Sequence, residues 1–136
     1  MKLKIFTTGG TIDKIYFDKK SQYEVGDPAA GGVLDRANVT FHYHVESILK
    51  QDSLDMTDAD RQLVRRAIEA APEDRIVITH GTDTMIATAN VLDGVAGKTI
   101  ILTGSMYPAR FRDSDAVFNL GGAVTGGQMW PHGLYI

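Results

Sequence analysis

The chain has 136 residues, 43% of them apolar and 23% charged, with a formal net charge of −3. That length predicts one domain covering residues 1–136, and the slightly acidic balance argues against a general grip on nucleic acid. The absence of cysteine excludes disulfides, thiolate metal sites and a cysteine nucleophile, and no apolar run approaches the roughly 18 residues of a membrane span.

Met1 leads straight into strand-like sequence at residues 2–6 (KLKIF), without the apolar stretch and cleavage site of a secretion signal, so a cytoplasmic location is expected. Residues 7–35 show little periodicity and many Gly, Asp, Ser and Lys residues, which predicts a long loop; such loops inside a compact domain are usually functional or mobile. Residues 39–45 (VTFHYHV) alternate as a strand does. Residues 57–71 carry the clearest helical period. Thr57 can cap that helix with Asp60 reaching back, and Ala59, Leu63, Val64, Ala67, Ile68 and Ala71 form one apolar face.

RIVIT (75–79) and TIILT (99–103) read as buried strands. Helices are predicted over 83–92 and 114–125, a turn at Asp93-Gly94, and a last strand from Gly133. Strands separated by helices predict an α/β fold: a three-layer sandwich around a mostly parallel sheet, with ligands taken at the carboxyl ends of the strands.

Three of those ends are rich in glycine and hydroxyls. KLKIF runs into Thr7-Thr8-Gly9-Gly10-Thr11, RIVIT into His80-Gly81-Thr82-Asp83-Thr84, and TIILT into Gly104-Ser105-Met106. Asp52-Ser53-Leu54-Asp55 precedes the clearest helix and is a candidate to join them. No Gly-Lys-Ser/Thr ends a loop and no G-x-G-x-x-G is present, which leaves a phosphate cradle with a bare Gly-Gly turn. There is no G-x-S-x-G elbow. Threonines beside a carboxylate suit acyl transfer, in which a base activates the hydroxyl and backbone N–H groups hold the developing oxyanion. A threonine after a strand, read alone, is more often a plain turn or cap residue, and Thr82 or Asp83 could cap the helix that follows.

TGGTID (8–13) and HGTDTM (80–85) resemble the two signature motifs of bacterial-type L-asparaginases, the threonine-dependent amidohydrolases. QYEVG (22–26), DSLDM (52–56), TGSMYPAR (103–110) and FNL (118–120) follow in the family's order, so the resemblance covers nearly the whole chain. It implies the short form, an amino-terminal catalytic domain with a parallel α/β fold. It further implies Thr11 as nucleophile and Tyr23 as the lid tyrosine that hydrogen-bonds it. Ser53 would hold the substrate's α-carboxylate, Asp83 its α-amino group, and Thr82 would belong to a Thr–Lys–Asp set. Gly10 and Gly81 are expected at the substrate, with backbone donors nearby.

Two departures accompany the resemblance. Leu54 stands where many members carry a substrate-touching glutamine. The family's catalytic lysine follows the strand that begins here at Gly133, whereas no lysine follows Lys98; the resemblance therefore implies a natural chain continuing past Ile136. Lys14 is close to Thr11 in sequence, but the motif assigns it nothing.

Other candidates read more plainly. His42 and His44 share a strand face and lack an evident third ligand. His80 is expected to make structural hydrogen bonds. Met85 and Met106 are expected in the core, and the charged loop of Arg110, Arg112, Asp113 and Asp115 is expected to be solvated with a helix cap at Asp113 or Ser114. Tyr16 competes with Tyr23 for the lid role, and the QYEVG match favours Tyr23.

The expected function is L-asparagine hydrolysis to L-aspartate and ammonia, with minor glutaminase activity. Neither metal nor organic cofactor is implied, and the expected partners are the small-molecule substrate and further copies of the chain in a homodimer or homotetramer. The rivals are an ammonia-supplying subunit of a tRNA-dependent amidotransferase and a non-catalytic amino-acid-binding module.

Overall fold

Alternation along the strands sorts the apolar side chains of one sheet onto two faces. The computed structural model describes residues 2–136. Strand β1 (Lys2–Gly9) sends Leu3 and Ile5 to one face and Phe6 to the other. β5 (Arg75–Thr79) and β6 (Thr99–Thr103) do the same with Val77 and Ile101 against Ile76, Ile78, Ile100 and Leu102. A period of two is what strand geometry dictates. The sheet is completed by β4 (His42–Gln51) and β7 (Gly133–Tyr135); all its pairings are parallel, in the order β4-β1-β5-β6-β7.

Helices cover both faces. Val33 and Leu34 of α1 (Ala30–Arg36) and Leu120, Ala123 and Val124 of α4 (Ala116–Met129) pack on the Leu3–Ile5 side. Val64 and Ile68 of α2 (Asp58–Ala70) and Met85, Ala89 and Leu92 of α3 (Met85–Leu92) pack on the Phe6 side. This is the expected three-layer α/β sandwich. The α2 start is a full capping box: Thr57 Oγ1 accepts from the Asp60 amide at 3.2 Å and Asp60 Oδ2 accepts from the Thr57 amide at 2.8 Å.

The chain leaves β1 toward β4 on one side and returns to β5 on the other. The crevice at the carboxyl ends of β1 and β5 is therefore the topological switch point, where open α/β sheets take ligands. Both signature loops begin there.

Three expectations change. Strand β1 does not stop at Phe6: Thr7 pairs with Ser47 and Thr79, and Thr7 and Thr8 are buried in the sheet instead of sitting in a turn. Residues 7–35 are not one irregular loop. They hold a 3-10 turn (Thr11–Asp13), an antiparallel hairpin of β2 (Lys14–Phe17) and β3 (Gln22–Val25), and α1. Finally, α3 starts at Met85, so neither Thr82 nor Asp83 caps it.

Candidate active site

The backbone at the switch point allows almost no side-chain volume. Gly10 has φ +83°, and a Cβ placed on it would stand 2.5 Å from the Gly81 amide nitrogen and 2.6 Å from Gly81 Cα. A Cβ on Gly81 would in turn stand 2.6 Å from both Cβ and Oγ of Ser53. Only glycine fits such contacts, and only glycine adopts that φ without strain. The ends of β1 and β5 and the turn after β4 thus touch one another through Gly10, Gly81 and Ser53. The Gly10 amide itself donates to the Gln51 carbonyl at 2.8 Å. That amide is thus engaged within the protein, and what Gly10 contributes here is close approach of the loops.

Thr11 opens the 3-10 turn directly after this contact and is half-buried. It lines a cavity of about 220 Å³ together with Lys14, Tyr23, Pro108 and Phe111. Tyr23 is half exposed and stacks edge-on to Tyr16, its cross-strand partner, with ring centroids 5.4 Å apart, and leans on Phe111 at 6.0 Å. Tyr16 does not line that cavity, so of the two hairpin tyrosines it is Tyr23 that shares space with Thr11.

Ser53 sits in a second 3-10 turn (Ser53–Asp55) and is 1% exposed, yet its hydroxyl has no hydrogen-bond partner among the described residues. An unpaired buried hydroxyl is a standing penalty unless a ligand or water completes it. The turn is held by Asp52 Oδ1, which accepts from the Leu54 amide at 3.2 Å, and by Thr84 Oγ1, which donates to the Ser53 carbonyl at 2.8 Å. Asp52 Oδ2 takes Lys14 Nζ at 2.7 Å, and that bond holds the Asp52 carboxyl below its ordinary range. Thr82 and Asp83 follow Gly81 on the exposed part of the loop. Neither side chain makes a hydrogen bond among the described residues.

Three side chains support the site from behind, His80 by the structural hydrogen bonds expected of it. Asp13, 2% exposed, accepts from the Ala29 amide at 2.8 Å, and its carbonyl accepts from Gly26 at 2.8 Å, so it anchors the return of the hairpin to α1. Burial pushes its carboxyl up to about 6 against the opposing pull of the Ala29 amide, Arg110 and Lys50. His80 is fully buried. Its Nδ1–H donates to the Gly81 carbonyl at 2.7 Å, and its Nε2 pairs with Thr88 Oγ1 at 2.7 Å, a hydroxyl that can donate to the neutral ring. Burial holds its pKa down accordingly. Asp115 accepts from the amides of Met106 and Tyr107 at 2.9 and 3.1 Å and from Asn119 Nδ2 at 2.9 Å, tying the loop after β6 to α4. The Met106 amide, the largest influence, holds its carboxyl below the ordinary range. A TGGTID or HGTD motif flags Asp13 and His80 only by their place beside the glycines.

Of the remaining candidates, Met85 is buried, but Met106 is 69% exposed, so it is not core. At the start of α4, Ser114 Oγ accepts from the Ala116 amide at 3.0 Å. His42 and His44 lie on the edge strand β4, both with exposed side chains, and among the described residues no group of three ligating side chains could hold a metal ion.

Comparison with known proteins points in the same direction. The family model described as "Asparaginase, N-terminal" matches residues 2–128. The chain belongs to the asparaginase family. It is 34% identical over 148 aligned residues to the L-asparaginase of Thermococcus kodakarensis, an alignment covering all of this chain and 43% of that protein. A solved structure of the thermostable L-asparaginase from the same organism superposes with a TM-score of 0.79 at 30% identity, over 94% of this chain and 41% of that one. A glutamyl-tRNA(Gln) amidotransferase component from Thermoplasma volcanium is 31% identical over 90% of this chain and 32% of its own length. The chain thus spans less than half the length of these relatives, and what aligns is the amino-terminal domain of the family.

Proposed function

We propose that this chain is the catalytic domain of an L-asparagine amidohydrolase. The observation that carries the reading is the contact of Gly10, Gly81 and Ser53 at the switch point, with Thr11 next in chain beside a cavity that Tyr23 helps to line. In the proposed reaction Thr11 Oγ attacks the side-chain amide carbon of asparagine, and its proton passes by way of a base to the amide nitrogen. The C–N bond breaks, and ammonia departs from a β-acyl ester on Thr11. Water then cleaves the ester and regenerates the hydroxyl.

Tyr23 orients the Thr11 hydroxyl from the hairpin, which acts as a lid. The orphaned Ser53 hydroxyl donates to the substrate α-carboxylate, and Asp83 takes the α-ammonium group. Thr82 assists the proton transfer with a lysine that, on this reading, lies beyond Ile136. Lys98 is not that lysine: its Nζ is tied to the carbonyls of Ala71 and Glu73 at 2.7 and 2.8 Å, at the far end of β6. An intact mass of 14.8 kDa for the natural protein would contradict a longer chain. A homodimer or homotetramer and a cytoplasmic location belong to the same proposal; among the described residues no helix is long and apolar enough to cross a membrane. Light scattering on the purified protein reads the assembly.

The test is ammonia release from asparagine and glutamine by the pure protein. Release from asparagine above blank, with weaker release from glutamine, supports the reading; none from either contradicts it. The likeness to an amidotransferase component keeps one alternative in view, an ammonia supplier for a tRNA-dependent enzyme. That role predicts low activity alone and stimulation by a partner.

A further inference from the structure

Lys14 is the first residue of the hairpin that carries Tyr23, and it reaches back across the site. Its Nζ meets Asp52 Oδ2 at 2.7 Å, with the two side chains 26% and 29% exposed. Asp52 works with both oxygens, since Oδ1 caps the turn that positions Ser53. Lys14 also lines the Thr11–Tyr23 cavity. Among the described residues this is the one side-chain hydrogen bond that joins hairpin residues 14–25 to the turn at 52–55.

We infer that Lys14 is a positioning residue: through Asp52 it holds the hairpin bearing Tyr23 and the turn bearing Ser53 at one spacing on either side of Thr11. The inference rests on the proposed asparaginase reading for its kinetic consequence, though not for its structural one. A partly exposed ion pair adds little to global stability. Its effect is on the closed population of the hairpin. If a ligand binds only the closed form, its apparent dissociation constant rises by the reciprocal of the closed fraction. Breaking the tie therefore raises KM and leaves the chemistry within the closed state intact.

The test uses the full chain with Lys14→Met, Lys14→Arg, Asp52→Asn and the Lys14→Met/Asp52→Asn double variant. Asp52→Asn keeps a carbonyl oxygen for the Leu54 amide while removing the charge. Two readouts are taken: amide hydrogen exchange of residues 14–25, and KM and kcat for asparagine. Lys14→Met and Asp52→Asn are each expected to speed hairpin exchange about tenfold and raise KM about tenfold, with kcat within about threefold of wild type. The double variant matches either single, because both remove one interaction. Lys14→Arg stays close to wild type, and melting midpoints move by no more than about 3 °C. Unchanged exchange in Lys14→Met, or effects that multiply in the double variant, would overturn the inference. A wild type that releases no ammonia counts against the asparaginase reading alone, since the exchange arm still decides whether Lys14 and Asp52 hold the hairpin.

Discussion

Gly10 and Gly81 approach so closely that a Cβ on the first would stand 2.5 Å from the amide nitrogen of the second. The two signature loops are thus one packed unit. Gly10→Ala adds a methyl into backbone, which cannot rotate aside, and does so at a φ of +83°. The expected loss is about 3 kcal/mol, from left-handed strain plus overpacking. Gly81→Ala meets Ser53 without the strain of a positive φ, and about 2 kcal/mol is expected. Urea unfolding of the three proteins measures this; wild-type midpoints for both variants would show that the loops do not pack as described.

Ser53 separates stability from binding. Its buried hydroxyl has no partner among the described residues, so removing it deletes a penalty instead of a bond. Ser53→Ala is expected to unfold within about 0.5 kcal/mol of wild type or to be slightly more stable. If the hydroxyl meets the substrate carboxylate, the same change raises KM for asparagine by roughly 10- to 100-fold, the worth of a bond to a charged group. Calorimetric melts and initial rates on one preparation read both. A large loss of stability with unchanged KM would reverse the assignment.

Asp13 makes stability depend on pH in the less common direction. Its folded pKa of about 6 lies above the ordinary 3.8, so the folded state holds the proton more tightly. The stabilisation is fully present below the unfolded value and is lost as pH rises through the folded one, between about pH 4 and 6. His80, held down by burial, contributes in the opposite sense: its support is present above the ordinary histidine range and is lost as pH falls. Asp13→Asn isolates the first effect, because its side-chain oxygen can still accept the Ala29 amide. Relative to wild type it is expected to gain about 1–3 kcal/mol on going from pH 4 to pH 7.5. Chemical denaturation across that range checks it; a variant that loses ground at pH 7.5 would mean that charged Asp13 is stabilising.

Much of this architecture is legible in the residues themselves. RIVIT and TIILT are short, β-branched and bounded by turn residues, and they form strands with those limits. Thr57 and Asp60 carry their own cap, so α2 starts where local chemistry requires. The hairpin is less visible, because none of Lys14-Ile-Tyr-Phe and Gln22-Tyr-Glu-Val is fully buried and their pattern is set by each other, not by a core. Thr7 and Thr8 read as turn residues until β4 and β5 flank them. Of the candidate site, the motifs name Thr11, Ser53 and the glycines. They do not reveal that the Gly10 amide is taken by Gln51, or that Lys14 reaches Asp52 across 38 residues of chain, since both are tertiary events.

The nucleophile assignment is tested most directly by ammonia release from asparagine with wild type and Thr11→Ala side by side, each checked for folding by its melt. Thr11 is half-buried at a turn, so the variant is expected to fold normally. Its rate should fall on the order of 10⁴-fold or more, as removal of a nucleophile does elsewhere. A Thr11→Ala protein that releases ammonia at the wild-type rate would contradict Thr11 as the acyl-forming residue.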